Sequence, residues 1–300
     1  MEVSELLERY AAGERDFDRV DLSSADLSGA LLPGISLQGA DLSGAKLSGS
    51  NLEEGNLREA RLLSVEANHV QWRGINLREV KLRDASLRGA NLVNANCIGA
   101  DLSGVDLGDR ANLSGCSMRA TKLVGANLRE AVLIESNLSE ADLHQANLEG
   151  ANMREATLHH AKLTEANLTK ANLTRANLTK ANFSDSVLVG AMLLEVYASS
   201  TVFLAADLSS CDLRRAKAIG ADFTAAKLLK GNLRETNLSW STLRQADLSD
   251  ANLFQARLQW TNFSSAVLRG AVLIDADLSQ ANTRAVVWTG AIGPDGQAHY

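Results

Sequence analysis

The chain repeats itself every five residues, and that period constrains its fold more tightly than any other feature of the sequence. Residues 165–182 read EANLTKANLTRANLTKAN, and ADLSG or a close variant recurs from Ala25 onward. With the large apolar residue set at the centre of each pentad, centres run from Phe17 through Leu22 and Leu27 to Leu107. They resume at Leu113 and continue through Met118 and Leu123 to Trp288. A small residue, mostly Ala, stands two places before each centre, with Asn or Asp between them in most pentads, and the two places after the centre are polar. Five matches neither the 3.6-residue period of a helix nor the two-residue period of a strand. Apolar spacings of two, three and two predict short extended pieces joined by corners, with only the centre and the small residue pointing inward. A solenoid built this way stacks each coil on the one below, so burial and backbone pairing come from neighbours.

The few aromatic residues set the size of the coil. Apolar residues make up 45% of the 300, yet aromatics only 4%, so the interior is filled by Leu and Ala rather than by rings. Phe183, Phe203, Phe223 and Phe263 occupy centres 20, 20 and 40 residues apart. Trp240 and Trp260, both two places after a centre, are also 20 apart. Four pentads per coil put each set on one side, ring above ring. At the spacing of paired strands, roughly 4.8 Å, about 14 such coils predict a rod about 65 Å long.

The Ala-(Asn/Asp)-Leu-x-x motif, here as ANLTK, ADLSG, ANLRE and ADLHQ, resembles that of the pentapeptide-repeat proteins. The resemblance covers about nine-tenths of the chain and implies an all-β fold, a right-handed quadrilateral β-helix. The opening LLERYAAGERDF and the closing GAIGPDGQAHY resemble the ends of bacterial, especially cyanobacterial, members. Among members of that family, some mimic DNA and bind DNA gyrase, and another regulates heterocyst differentiation by binding protein partners.

A solenoid exposes its core at both ends and needs caps. Val3, Leu6, Leu7 and Tyr10 at helical spacing, with Ser4 as N-cap, predict a capping helix within residues 1–14. Residues 15–290 form the repeat and 291–300 the tail, where Gly293-Pro294-Asp295-Gly296 marks a turn and Trp288 is placed to cover the last coil. One residue too many falls between Leu107 and Leu113, which predicts a one-residue bulge near 108–112, at Gly108-Asp109-Arg110. Ala67 and Trp72 replace Leu at adjacent centres, a small side chain beside a large one.

The surface carries the functional expectations. Thirty basic and 36 acidic residues give a formal charge of −6, and direct nucleic-acid binding calls for a markedly basic chain. A duplex mimic needs an acidic stripe along a side, but Lys122, Lys162, Arg214, Arg244, Lys227 and Lys230 interrupt the acids at coil intervals. Val187, Val189, Met192, Leu194, Tyr197, Val202 and Leu204 are apolar or aromatic where the repeat elsewhere places Asn, Ser or Thr, and are expected within about one coil on adjoining sides. They form the candidate protein-interaction patch. Val132, Ile134, Phe254, Val272 and Ile274 are expected on the side of Met192 and Leu194.

Catalytic chemistry finds little support in the sequence. His159-His160 is the only His pair, its stacked positions hold Ser139, Glu140, Thr179 and Lys180, and no second His or Cys completes a metal set. His69, His144 and His299 stand alone, while Cys97, Cys116 and Cys211 occupy inward positions and read as inert core thiols. No signal region or long apolar run is present, so a cytoplasmic setting is expected. The reading is a non-catalytic scaffold or regulator without cofactor, metal or membrane, binding a protein partner or a second copy of itself. The alternative is a DNA-mimicking inhibitor or protector of DNA gyrase.

Overall fold

The structure, a computed structural model, describes residues 1–298. His299 and the last residue of the tail lie outside the described residues. The chain divides into two compact units, Met1–Asn152 and Met153–Tyr300.

The pentad Asp41–Ala45 shows why the repeat takes this composition. Every backbone N–H must find an acceptor or water, and here all five find protein acceptors. Asp41 donates back one coil to the Val20 carbonyl (3.0 Å), and Leu42 forward one coil to Arg61 (2.7 Å). Gly44 donates forward to Leu63 (2.9 Å), and Ala45 closes the corner onto Leu42 (2.9 Å). The remaining N–H, that of Ser43, is taken by Asp41 Oδ1 at 2.9 Å. Asn or Asp at this place therefore supplies the acceptor that no carbonyl provides. The corner is a turn whose third residue has positive φ, 67° at Gly44, and non-glycine residues adopt the same conformation at other corners, as Ser24 does at 58°.

In the first unit, parallel bridges join residues 20 apart, as in Asp21–Asp41–Arg61–Lys81. This is the coil length that the Phe spacing predicts. Over Asn91–Asn112 to Asp106–Asn127 the separation becomes 21, then returns to 20 at Asn112–Val132. The extra residue sits at the corner 108–110, where Asp109 and Arg110 both have positive φ. Arg88 holds that corner through Asp106 (3.0 Å) and Asp109 (2.8 Å). Trp72 is fully buried beside buried Ala67, and its Nε1 donates to the buried Ser50 hydroxyl at 3.5 Å. Large and small centres thus share the space of two leucines.

One helix, α1, spans Val3–Ala11. Leu6 is completely buried, whereas Leu7 faces solvent. Ser4 is not the N-cap: Glu2 takes that place, without a side-chain cap bond. The N-terminal ammonium donates to the Asp21 carbonyl (2.8 Å) and the Tyr10 hydroxyl to that of Pro33 (2.7 Å). These two bonds tie α1 to the first coils.

The second unit has the same construction, with bridges such as Asn182–Val202–Asp222–Thr242–Asn262–Asn282. Its four sides are named here by the centres Phe183, Leu188, Leu193 and Ala198. Phe183, Phe203 and Phe223 stack inside the first, with centroids 5.1 and 4.8 Å apart. At the far end Leu278 and Trp288 are half-buried and Thr283 is exposed. Trp288 therefore covers the last coil only in part. The tail returns through a turn, with Gly293 N–H donating to the Gln297 carbonyl at 2.8 Å.

Candidate functional site

The coil 186–205 of the second unit carries all seven candidate residues, and the pentad geometry sends them to all four sides. Val187 and Val189 lie on the Leu188 side, Met192 and Leu194 on the next, Tyr197 on the third, Val202 and Leu204 on the fourth. Val187, Met192, Tyr197 and Leu204 are exposed; Val189, Leu194 and Val202 are half-buried. Between Val189 and Met192 the corner residue is Gly190, at φ 67°. With no side chain on that edge, the two adjoining sides present Val187, Val189, Met192 and Leu194 as one apolar surface.

These substitutions also remove the turn acceptor. Val187, Met192, Tyr197 and Val202 stand where Asn or Asp would accept the N–H two residues on, as Asn167 accepts from Thr169 at 3.1 Å and Asp207 from Ser209 at 3.0 Å. Among the described residues, the N–H groups of Val189, Leu194, Ser199 and Leu204 have no protein acceptor. A whole coil has thus exchanged its turn bonds for apolar surface.

The apolar surface does not continue as a stripe along the unit. Phe254, Val272 and Ile274 lie on the side of Met192 and Leu194, but Arg214 and Arg234 stand in the outer row between Leu194 and Phe254. Arg214 pairs with Asp212 at 2.7 Å, and the Arg234 guanidinium sits 5.2 Å from the Phe254 ring. Partial burial pushes the Asp212 carboxyl up, but the hydrogen bonds from Arg214 more than offset this and leave it below its ordinary value. Val132 and Ile134 belong to the first unit.

Acidic corners are matched with arginines one coil away. Arg215 lies between Glu195 (3.8 Å) and Glu235 (3.0 Å), and Arg175 is 3.7 Å from Glu155. In the first unit Arg119 pairs with Glu140 (3.0 Å) and Arg129 with Glu149 (3.7 Å).

The chemistry-bearing residues do not converge. His159 and His160 pack edge to face at 4.3 Å. Among the described residues no group of three His, Cys, Asp or Glu side chains could hold a metal ion. Cys97, Cys116 and Cys211 are free, buried thiols. Burial raises all three thiol pKa values, that of Cys116 to about 12, which suppresses the thiolate on which reactivity depends. No helix among the described residues is long and apolar enough to cross a membrane.

Trp240, Trp260 and Ile219 are apolar side chains outside the candidate patch. All three are exposed, on the Ala198 side or at its corner. The signal of the two tryptophans is a large ring at a corner position that elsewhere holds glycine, alanine or a polar residue.

No curated protein matches this sequence. Similar solved structures include HetL, a pentapeptide repeat protein from the cyanobacterium Nostoc sp. Strain PCC 7120 involved in heterocyst differentiation regulation. It is 30% identical over 100% of both chains, with a TM-score of 0.22. Alr5209, a pentapeptide repeat protein from Nostoc Pcc 7120, is 39% identical over 33% of this chain and 80% of its own, with a TM-score of 0.32. QnrB1, a plasmid-mediated fluoroquinolone resistance protein, is 18% identical over 58% of this chain and 84% of its own, with a TM-score of 0.33. The pentapeptide repeats family matches in eight copies within 16–53, 73–109, 111–150, 151–190 and 206–284. With its five-residue period, its 20-residue coils and a family match over most of its length, the chain belongs to the pentapeptide repeat protein family.

Proposed function

We propose that this protein is a non-catalytic scaffold or regulator that binds a protein partner in the cytoplasm, through the coil 186–205. The observation that carries this reading is the coordinated substitution at that coil. Four consecutive turn acceptors are replaced by Val, Met, Tyr and Val, and each replacement leaves a corner N–H without a protein acceptor among the described residues. A local rule broken without a folding gain marks a functional position. Met192 and Leu194, joined to Val187 and Val189 across the bare Gly190 edge, form the centre of the surface. The free, buried thiols fit a reducing compartment.

The test is capture from an extract of the source organism with three proteins. These are the wild type, Met192→Glu with Leu194→Glu, and a control, Ser264→Glu, on the Phe183 side three coils from Leu204. The wild type and the control should retain the same partner, or the same self-association, and the double variant should lose it with an unchanged circular dichroism spectrum. Retention by a folded double variant would refute the assignment.

A further inference from the structure

The Ala198 side of the second unit ends in a corner column that runs Ser200, Gly220, Trp240, Trp260, Gln280, one residue per coil. Trp240 and Trp260 are 63% and 51% exposed, with ring centroids 5.0 Å apart and planes within 6°. The rings are stacked one coil step apart, so each lies across the coil axis. At the next level, Gly220 has no side chain, and a Cβ placed there would meet only Ser200 Oγ, at 4.0 Å. One face of Trp240 therefore opens onto a level deep enough for one further ring, with Ile219, 40% exposed, beside it.

The same side holds a shallow groove of about 600 Å³, lined by Lys217, Ile219, Asn237 and Arg257, with Arg215 and Glu235 along its far edge. Arg215 is committed to its two glutamates. Lys217 and Arg257 form no ion pair among the described residues, and the Lys217 ammonium rests 4.9 Å from the Tyr197 ring. They stand two coils apart, about 10 Å, with Asn237 between them, whose Oδ1 accepts the Ser239 N–H at 3.1 Å and whose amide NH2 is left as a donor.

We propose that Trp240, the Gly220 level and the Lys217–Arg257 groove form a binding site for an acidic peptide segment carrying one aromatic side chain. The ring enters at the Gly220 level and stacks on Trp240, while carboxylates on either side meet Lys217 and Arg257. The charge pattern favours a peptide over a nucleic acid. Two cations without ion pairs, bordered by Glu195, Glu235 and, one coil beyond Arg257, Asp277, on a chain of charge −6, do not make the continuous basic track that a phosphate backbone requires. The site borders the 186–205 coil at Tyr197, whose ring the Lys217 ammonium touches, but it goes beyond that coil, because Met192 and Leu194 lie on a different side.

Tryptophan fluorescence and calorimetric titration of the whole protein test it. The probes are a twelve-residue peptide of Asp, Glu, Gly and Ser with one central Phe, its Phe→Ala counterpart and an oligothymidylate. Saturable binding of the Phe peptide is expected, about 10-fold tighter than the Ala peptide, the range of one aromatic stack. Trp240→Ala should remove that difference, and Lys217→Glu with Arg257→Glu should abolish binding of both peptides. Gly220→Trp adopts the backbone that Trp240 itself holds, φ 63°, and should block the Phe peptide down to the level of the Ala peptide. Equal affinity for the two peptides, indifference to Trp240→Ala, or tighter binding of the oligothymidylate would overturn the site. Met192→Glu with Leu194→Glu should leave the titration unchanged, so that failure of one surface is distinguishable from failure of the other.

Discussion

A single side-chain oxygen decides how well each corner is satisfied. Where Asn or Asp precedes the centre, its Oδ1 closes the turn at about 3 Å, as at Asn177 (3.1 Å) and Asn182 (2.9 Å). Where Met192 stands, the Leu194 N–H has no protein acceptor among the described residues. A net intramolecular hydrogen bond contributes about 0.5–1.5 kcal/mol, so Met192→Asn should raise stability by about that amount in urea unfolding. The same change removes an exposed apolar side chain from the proposed surface and should weaken partner retention. Greater stability with weaker binding is the signature of a position kept for contact. A variant that gained stability and bound as well as the wild type would show that Met192 takes no part in recognition.

At the scale of the coil, stability comes from the neighbours above and below. Leu168 is completely buried, and its N–H donates to the Val187 carbonyl at 2.7 Å, so its side chain and its backbone answer to adjacent coils. Leu168→Ala removes apolar contact in a filled interior and should cost about 2–5 kcal/mol, measured by chemical unfolding. A cost within the range of a surface substitution would mean that the coils relax into the space. The coil itself was legible in the sequence because Phe183, Phe203 and Phe223 repeat at its period and can stack only at that period. The helix α1 was legible from Leu6, but its cap was not, since Ser4 and Glu2 differ in type while the boundary is set by the docking of the N-terminus on Asp21. The form of the interaction patch was illegible for a geometric reason. Successive pentads turn onto successive sides, and residues share a side only within one pentad or at multiples of 20, so a cluster that reads as compact wraps around the coil. The lost turn bonds were hidden too, because residue type alone does not show which N–H lacks an acceptor until the corner is built.

Across the whole molecule the question is what the acids face. The composition gives 36 acidic against 30 basic residues, and a mimic of DNA would need its excess gathered where a basic groove could meet it. Instead, corner acids in both units meet arginines from the adjoining coil, Glu140 with Arg119 and Glu235 with Arg215. Each such pair contributes little to stability at an exposed surface. It does, however, cancel the local field at a distance beyond the roughly 8 Å over which salt already screens single charges. Acids interrupted in this way do not make the continuous acidic track that a duplex-binding groove recognises. Supercoiling by DNA gyrase should therefore proceed at an unchanged rate with this protein at micromolar concentration, in the presence or absence of a fluoroquinolone. Arg215→Glu with Arg175→Glu, which would make that corner column continuously acidic from Glu155 to Glu235, should be the variant in which inhibition first emerges. Inhibition or protection by the wild-type protein at equal concentration would show that the paired acids act as a duplex after all, and would replace partner binding by mimicry as its function.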